Sequence, residues 1–202
     1  MAGPIKLDEV TRGLFIAWRL FLWDGKAVAL IDDSRGGAFR SFWCAAVVLP
    51  LVFANWALQA ATTPKVPGNF GLLAEHAGLP RTLTVLAIFY VIQWTAWPVL
   101  MYWLTRLLNC ERFYFRYLAA RNWSAAILGS LTVLFAVVHF SGIAPWGSMR
   151  LVSLAFLAVM WAYHWFILRA TLEINGGFAA VLVAADFSLS VVTDQIGIAV
   201  TM

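Results

Sequence analysis

The sequence predicts an all-α membrane protein: a helical bundle of five transmembrane spans, preceded by an amphipathic helix in the membrane interface. Of its 202 residues, 62% are hydrophobic and only 12% are charged, whereas soluble domains carry roughly 25% charged residues. Five apolar runs each reach the ~20 residues that a helix needs to cross the hydrocarbon core. Most of the cations collect on one side of these runs, as in multi-pass membrane proteins. These observations exclude a water-soluble fold.

The apolar runs divide the chain into an N-terminal segment, residues 1–38, and a five-helix transmembrane domain, residues 39–202. At ~1.5 Å per residue, each run covers the ~30 Å core of a bilayer. The second run is the longest, and Pro98 within it removes one backbone donor and permits a kink. The predicted spans are Phe42–Ala61, Thr82–Leu108, Trp123–Ile143, Leu151–Ala170 and Phe178–Val200.

Before the first span, apolar side chains recur at helical spacing, with charged residues displaced toward the other side. This pattern is typical of an amphipathic helix that lies in the cytoplasmic interface. We expect the helix to end near the turn-forming sequence IDDSRGG, residues 31–37. Two roles stay open: an anchor that orients the first span, or a docking surface for a partner or anionic lipid. The apolar stripe consists of Leu7, Val10, Leu14, Trp18 and Phe21.

The positive charges predict the orientation. Eleven of the 14 Lys and Arg residues fall on one side of the spans, and only Lys65, Arg81 and Arg150 fall on the other. Because cytoplasmic loops are enriched in Lys and Arg, we expect the N-terminus in the cytoplasm and the C-terminus outside the cell (inner) membrane. The opening MAGPIKLDEVTRG lacks the apolar core and cleavage site of a signal peptide, so we expect it to be retained.

The connections between spans predict lipid contacts. The cytoplasmic connection 109–122, NCERFYFRYLAARN, mixes arginines with aromatic residues. Such a mixture can bind nucleic acid, but beside two membrane spans it favours lipid phosphates. We therefore predict headgroup contacts for Arg112, Arg116 and Arg121, and no nucleic-acid partner. The outer connection, residues 62–80, is expected to be a loop with one interfacial turn of helix.

The fifth span carries the strongest candidate site, because ionisable side chains are costly inside a bilayer. Its polar residues fall within an arc of about 100° on one helix face. In the antiparallel fourth span, His164 lies at a depth of ~9 Å, close to the ~12 Å of Asp186. This pair either relays protons or holds a cation, or forms only an interhelical hydrogen bond. The candidate residues are Asp186, His164, Ser190, Thr193 and Asp194.

Other chemistry is not predicted. The sequence contains no P-loop, dinucleotide-binding glycine pattern, HExxH motif or nucleophile elbow. His139 and His164 differ in depth by ~15 Å, too far to share a haem. The two cysteines, Cys44 and Cys110, match no metal or redox motif, and we expect them to be reduced, small apolar residues. We predict no catalytic residue, metal or cofactor.

Two passages carry a resemblance to a known family. They are AVALIDDSRGGAFRSFWCAAVVLPLVF, which enters the first span, and WAYHWFILRATLEINGGFAAVLVAADFSLS, which joins the last two. With the amphipathic lead-in, they resemble the Yip1-like family of five-span membrane proteins. The resemblance implies a helical bundle without known catalytic residues, linked in eukaryotic relatives to membrane trafficking. It assigns no site residue.

Two functions remain open from the sequence. The first is a non-enzymatic membrane protein that acts through helix–helix or lipid contacts, as an accessory or scaffold subunit of a membrane complex or as a homo-oligomer. The second is a small proton- or ion-coupled transporter, or a channel-like protein, that uses the polar face of the fifth span. Asp186 distinguishes them, because only the second function needs its carboxylate to be accessible.

Overall fold

The computed structural model describes residues 6–61, 70–140 and 146–202, the last range without the side chains of residues 146–148. Over these residues the chain is helical, without a strand, and the predicted all-α fold is confirmed. Short 3₁₀ helices at Gly25–Leu30, Ser41–Trp43 and Glu111–Phe113 connect some of the α-helices. The α-helices are α1 (Leu7–Phe21), α2 (Arg35–Arg40), α3 (Cys44–Ala60), α4 (Phe70–Ala77), α5 (Leu79–Leu107), α6 (Tyr114–Phe140), α7 (Trp146–Leu172) and α8 (Gly176–Thr201).

Five helical segments of the described chain are long and apolar enough to cross a membrane. Their number agrees with the five predicted spans, although all five begin before the corresponding apolar run. The difference arises because helices continue past the edge of an apolar run into polar residues. The segments are Arg35–Ala60, Leu79–Leu107, Glu111–Phe140, Met149–Leu172 and Gly176–Thr201.

The connection predicted over residues 109–122 is mostly helix, and this is the largest correction to the predicted bounds. Helix α6 begins at Tyr114, nine residues before the expected start of the third span. Its first turns are buried at Tyr117, Ala120 and Asn122. Helix α1 packs on α6, Trp97 of α5 donates to the Tyr117 hydroxyl, and the Asn122 amide donates to the Ser41 hydroxyl. Three arginines lower the hydropathy of this stretch, so it does not stand out as an apolar run. Hydropathy therefore does not predict that the stretch is helical and packed.

Helix α1 packs on α6 through a face that differs from the predicted stripe. Its buried residues are the small or apolar Gly13, Ile16, Ala17 and Leu20. Gly13 permits the contact, because a Cβ at this position would lie 2.3 Å from the ring of Trp123. The apolar stripe predicted from the sequence remains partly exposed on the surface of the bundle: Leu7 is 77% exposed and Trp18 is 49% exposed. The helix therefore has one face on the bundle and a second, exposed apolar face.

The segment after α1 contains regular structure, namely the 3₁₀ helix Gly25–Leu30 and then α2. The expected end of α1 at residues 31–37 is wrong, because the helix ends at Phe21 and Trp23 adopts a left-handed φ of 62°. Residues 31–37 instead lead into α2, whose first turn is capped by the Ser34 hydroxyl accepting from the Gly37 amide at 3.0 Å. Arg40 then ties α2 back to α1 through Glu9, with a nitrogen–oxygen distance of 2.9 Å.

The long helices alternate in direction, so the bundle has two distinct ends. The arginine-rich end holds α1, α2 and the turns at residues 108–113 and 173–175, whereas the α4 end holds α4 and the last turns of α3, α6 and α8. Around the bundle, the neighbours are α3, α6, α7, α8 and α5 in that order. The Tyr90 hydroxyl closes this ring by donating to the Ala45 carbonyl of α3 at 2.6 Å.

The main hydrophobic core lies toward the arginine-rich end. It is centred on Trp97, whose indole donates to the Tyr117 hydroxyl at 2.7 Å, and on Tyr163, whose hydroxyl donates to the Ala17 carbonyl at 2.8 Å. Core side chains come from α1, α5, α6, α7 and α8. This core fills much of the arginine-rich half of the bundle, and a larger cavity between the long helices lies nearer to α4.

Candidate functional site: a polar cavity within the bundle

A cavity of about 620 Å³ lies inside the ring of long helices. Every long helix contributes to its lining, and α4 contributes Leu73. The volume falls in the range of roughly 300–1,000 Å³ that is typical of small-molecule sites. Six polar or charged residues line it, together with the hydroxyl-bearing Tyr90: Gln93, Arg121, His164, Asp186, Ser190 and Asp194.

The ion pair between Arg121 and Asp186 lies at the deepest part of this lining, beside the core. The Arg121 Nη2 atom is 3.3 Å from Asp186 Oδ1, and the two side chains are only 17% and 15% exposed. The pairing follows from depth: Arg121 lies about 10 Å and Asp186 about 15 Å along their helices, both counted from the arginine-rich end. Because the pair is largely buried, its attraction is screened much less than that of a surface pair.

His164 lines the same cavity, about 12 Å from the arginine-rich end of α7. Its Nδ1 atom lies 3.0 Å from the Met160 carbonyl. Since a carbonyl can only accept, this bond requires a proton on Nδ1 and leaves Nε2 as the acceptor of the neutral ring. Within the described residues, the His164 ring makes no hydrogen bond to Asp186; the carboxylate is bonded to Arg121 instead.

Helix α8 presents Asp186, Ser190 and Asp194 to the cavity on successive turns. Asp194 Oδ1 accepts a hydrogen bond of 2.6 Å from the Gln93 amide of α5. Thr193, predicted to share this face, is not in the cavity lining. It is 8% exposed, and its hydroxyl donates to the Leu189 carbonyl at 2.8 Å. The polar stripe of α8 is therefore narrower than predicted.

Aromatic rings of α3 and α5 line part of the cavity. Trp56 of α3 stacks on Phe70 of α4 with a centroid distance of 5.7 Å and an interplanar angle of 5°. On α5, which neighbours α3 in the ring of helices, Phe89, Tyr90 and Trp94 also line the cavity, and the Tyr90 and Trp94 rings lie 6.1 Å apart. Large flat side chains at these positions leave a cavity with apolar walls and a few polar groups, as in many ligand sites.

The three arginines predicted to meet lipid headgroups have different surroundings. Arg121 faces Asp186, a partner that the sequence did not predict. Arg116 donates to the Thr171 carbonyl and, at 2.9 Å, to Glu173 Oε1, so it links α6 to the end of α7. Arg112 is exposed, with its guanidinium 4.3 Å from the Phe113 ring centroid. Headgroup contact stays a prediction for all three, with Arg112 the most accessible of them.

The residues considered for metal or redox chemistry lie apart from one another. Among the described residues, no group of three or more His, Cys, Asp or Glu side chains is arranged to hold a metal ion. Cys44 and Cys110 are both free and buried. Burial raises the pKa of the Cys110 thiol, which favours the neutral form of this side chain. His139 is on α6 near the α4 end, far along the bundle from His164.

The sequence alone does not identify two residues of the site, Arg121 and Gln93. Hydropathy does not identify Arg121, because it assigns the surrounding stretch to a loop. The sequence does not identify Gln93, because its partner Asp194 is 101 residues away. One signal was available for Arg121: the run from Tyr117 to Leu128 continues at helical spacing, with small residues that favour close helix packing. A helix extended through this run places Arg121 level with Asp186.

The fold and the cavity together define a class: a helical protein with five helices able to span a membrane and a polar cavity between them. No protein family, curated protein or solved structure matches this chain. The resemblance to Yip1-like proteins therefore stays a prediction from the sequence, and function has to be inferred from the cavity itself.

Proposed function

We propose that this protein is a small multi-pass membrane transporter that binds a polar solute in the cavity and couples its movement to protonation at the Arg121–Asp186 pair. One observation carries the proposal: a charged pair from two helices lines a cavity of about 620 Å³ inside the bundle. A charged side chain at the centre of a spanning helix costs about 2.5–3.5 kcal/mol on insertion scales. Such residues usually mark solute or proton pathways.

The arrangement of core and cavity supports alternating access. The cavity extends from Leu73 of α4 to Arg121 and Asp186, while the core closes the other half of the bundle. Transport requires the arginine-rich half of the bundle, which holds the core, to open after the cavity side has closed. We expect this opening to separate α6 from α8. Protonation of Asp186 weakens its attraction to Arg121 and favours that separation. His164, on the helix between them, is placed to exchange the proton.

The orientation belongs to the same proposal. With the arginine-rich end in the cytoplasm, the cavity lies toward the outside of the cell membrane. Aromatic rings support an interface at this end, because rings and cations together are enriched at both membrane–water interfaces, whereas the excess of Lys and Arg supports the cytoplasmic side. Among the described residues at this end, six arginines lie over aromatic rings: Arg19, Arg35, Arg106, Arg112, Arg116 and Arg169.

The alternative function, an accessory or scaffold subunit, stays a prediction. The long helices expose many apolar side chains, but lipid covers such a surface in any multi-pass protein. This surface therefore favours neither function, whereas a charged cavity favours solute binding over a purely structural role.

Proton flux into vesicles tests the proposal. Purified protein is reconstituted into liposomes that contain a pH-sensitive dye, and an imposed pH difference is followed over time. We expect flux above protein-free vesicles, reduced at least tenfold by Asp186→Asn. The matched control is Ser188→Ala, which removes a polar atom from the exposed face of the same helix. Equal flux through wild type and Asp186→Asn would contradict the proposal.

A further inference from the structure

Asp194 is the acidic residue of the cavity that lacks a cationic partner within the described part of the chain. Its carboxylate is hydrogen-bonded to the neutral Gln93 amide at 2.6 Å, and among the described residues no Lys or Arg lies within ion-pair distance. Deeper in the lining, Arg121 balances Asp186. When Asp194 is ionised and His164 is neutral, the charged groups that line the cavity sum to one negative charge. Such a cavity attracts cations and repels anions.

The surroundings of Asp194 fit an organic cation better than a metal ion. Aromatic side chains line the cavity at Trp56, Phe89, Tyr90 and Trp94. Calcium and magnesium ions take about six or more oxygen ligands in a tight shell. Among the described residues, no group of three or more His, Cys, Asp or Glu side chains is arranged to hold a metal ion. Ammonium ions, by contrast, are bound by a counter-charge together with the faces of Trp, Tyr or Phe rings.

The size of the cavity also favours an organic cation over a metal ion. A volume of about 620 Å³ is much larger than a bare ion or a proton relay needs, because one water molecule takes only about 30 Å³. It accommodates a cation with several carbon atoms. Trp56, Tyr90, Trp94 and Asp194 all line this cavity. Gln93, whose amide binds the Asp194 carboxylate, lies between Tyr90 and Trp94 in the sequence of α5.

We propose that the cavity binds a small organic ammonium ion, with Asp194 as its counter-charge and Trp94, Tyr90 and Trp56 as its aromatic wall. This inference rests on the proposed function and deepens it by naming the class of solute. Gln93 is a positioning residue, since its amide holds the Asp194 carboxylate from α5. The Arg121–Asp186 pair remains the proton-coupled element beneath the bound cation.

Equilibrium binding to the purified protein in lipid nanodiscs tests the inference. The probe is radiolabelled choline, and the comparison compound is 3,3-dimethyl-1-butanol, which has the same shape without the charge. We expect saturable choline binding, displaced by tetraethylammonium but not by the neutral analogue. Asp194→Asn should weaken binding at least tenfold, and Trp94→Leu about fivefold. Ser188→Ala, on the same helix but outside the cavity lining, should leave binding unchanged.

The outcomes separate this inference from the proposed function. Choline binding lost in Asp194→Asn, in protein that keeps its wild-type melting temperature, supports the inference. Equal binding of choline and its neutral analogue overturns it, and so does binding of sodium or acetate in place of the ammonium ions. If proton flux depends on Asp186 while choline does not bind, the inference fails and the transporter proposal stands. If choline binds without Asp186-dependent flux, only the coupling proposal fails.

Discussion

The guanidinium of Arg121 and the carboxylate of Asp186 meet inside the bundle, although 65 residues separate them in the sequence. Their closest atoms lie 3.3 Å apart and both side chains are largely buried. The Nε atom of Arg121 is also buried, without a hydrogen-bond partner among the described residues. A buried donor left without a partner costs about 1–3 kcal/mol.

Removing one partner of this pair should destabilise the protein more than removing both. Arg121→Met leaves a buried carboxylate without its counter-charge, and we expect the free energy of unfolding to fall by about 3 kcal/mol or more. The double variant Arg121→Met with Asp186→Leu leaves no charge behind and should recover most of the loss. Unfolding in detergent measures both. A double variant as unstable as the single one would show that packing, not charge, holds these positions.

The contact between Gly13 and Trp123 should limit the size of residue 13. A Cβ there would lie 2.3 Å from the Trp123 ring, so Gly13→Ala should move α1 and lower the melting temperature by several degrees. Gly25→Ala is the matched control, because the nearest atom to its added Cβ is 3.9 Å away. Trp123→Leu should partly rescue Gly13→Ala. A wild-type melting temperature for Gly13→Ala would contradict the packing of α1 on α6.

The docking of α2 should depend on pH through Asp32. Hydrogen bonds from Ser34, then the charges of Arg40 and Arg12, hold the pKa of this carboxyl below its usual value. Because the folded pKa is lowered, the stabilisation is present above the unfolded pKa of about 3.9 and is lost as the pH falls through the folded value.

Asp32→Asn tests this dependence. At pH 7 we expect a loss of less than about 1 kcal/mol in the free energy of unfolding, because the carboxylate is 48% exposed and partly screened by solvent. The difference between variant and wild type should shrink as the pH falls below the unfolded pKa and should vanish below the folded pKa of Asp32. Asp33→Asn, at an exposed neighbouring position, is the control. A difference that grows at acid pH would have the wrong sign and would contradict the assignment.

The charge distribution makes a prediction about topology. Fusions of a periplasm-active reporter to the C-terminus should be active, and fusions within residues 108–113 should be inactive, if the arginine-rich end is cytoplasmic. A reporter that is active only in the cytoplasm should give the reverse pattern. Activity of the first reporter at both positions would contradict the crossing number, and a full reversal would contradict the orientation.

Much of the candidate site could be anticipated on α7 and α8. Helical periodicity places Asp186, Ser190 and Asp194 on one face, and the short connection between α7 and α8 brings His164 to their level. The structure places all four on the cavity. Thr193 lies at the edge of the same arc. The rotation of the helix in the bundle decides whether a residue at this edge faces a cavity or a neighbouring helix. Periodicity alone does not set that rotation.

The sequence by itself determined the properties that depend on local composition: helical structure, five long apolar segments, and the amphipathic helix that precedes them. Runs of apolar residues and helical spacing are sufficient for these. Only the tertiary structure decided which helices are neighbours, and therefore that Arg121 meets Asp186 and Gln93 meets Asp194. These pairs join helices distant in the chain, and their contacts depend on side-chain packing around a shared cavity, which no local pattern encodes.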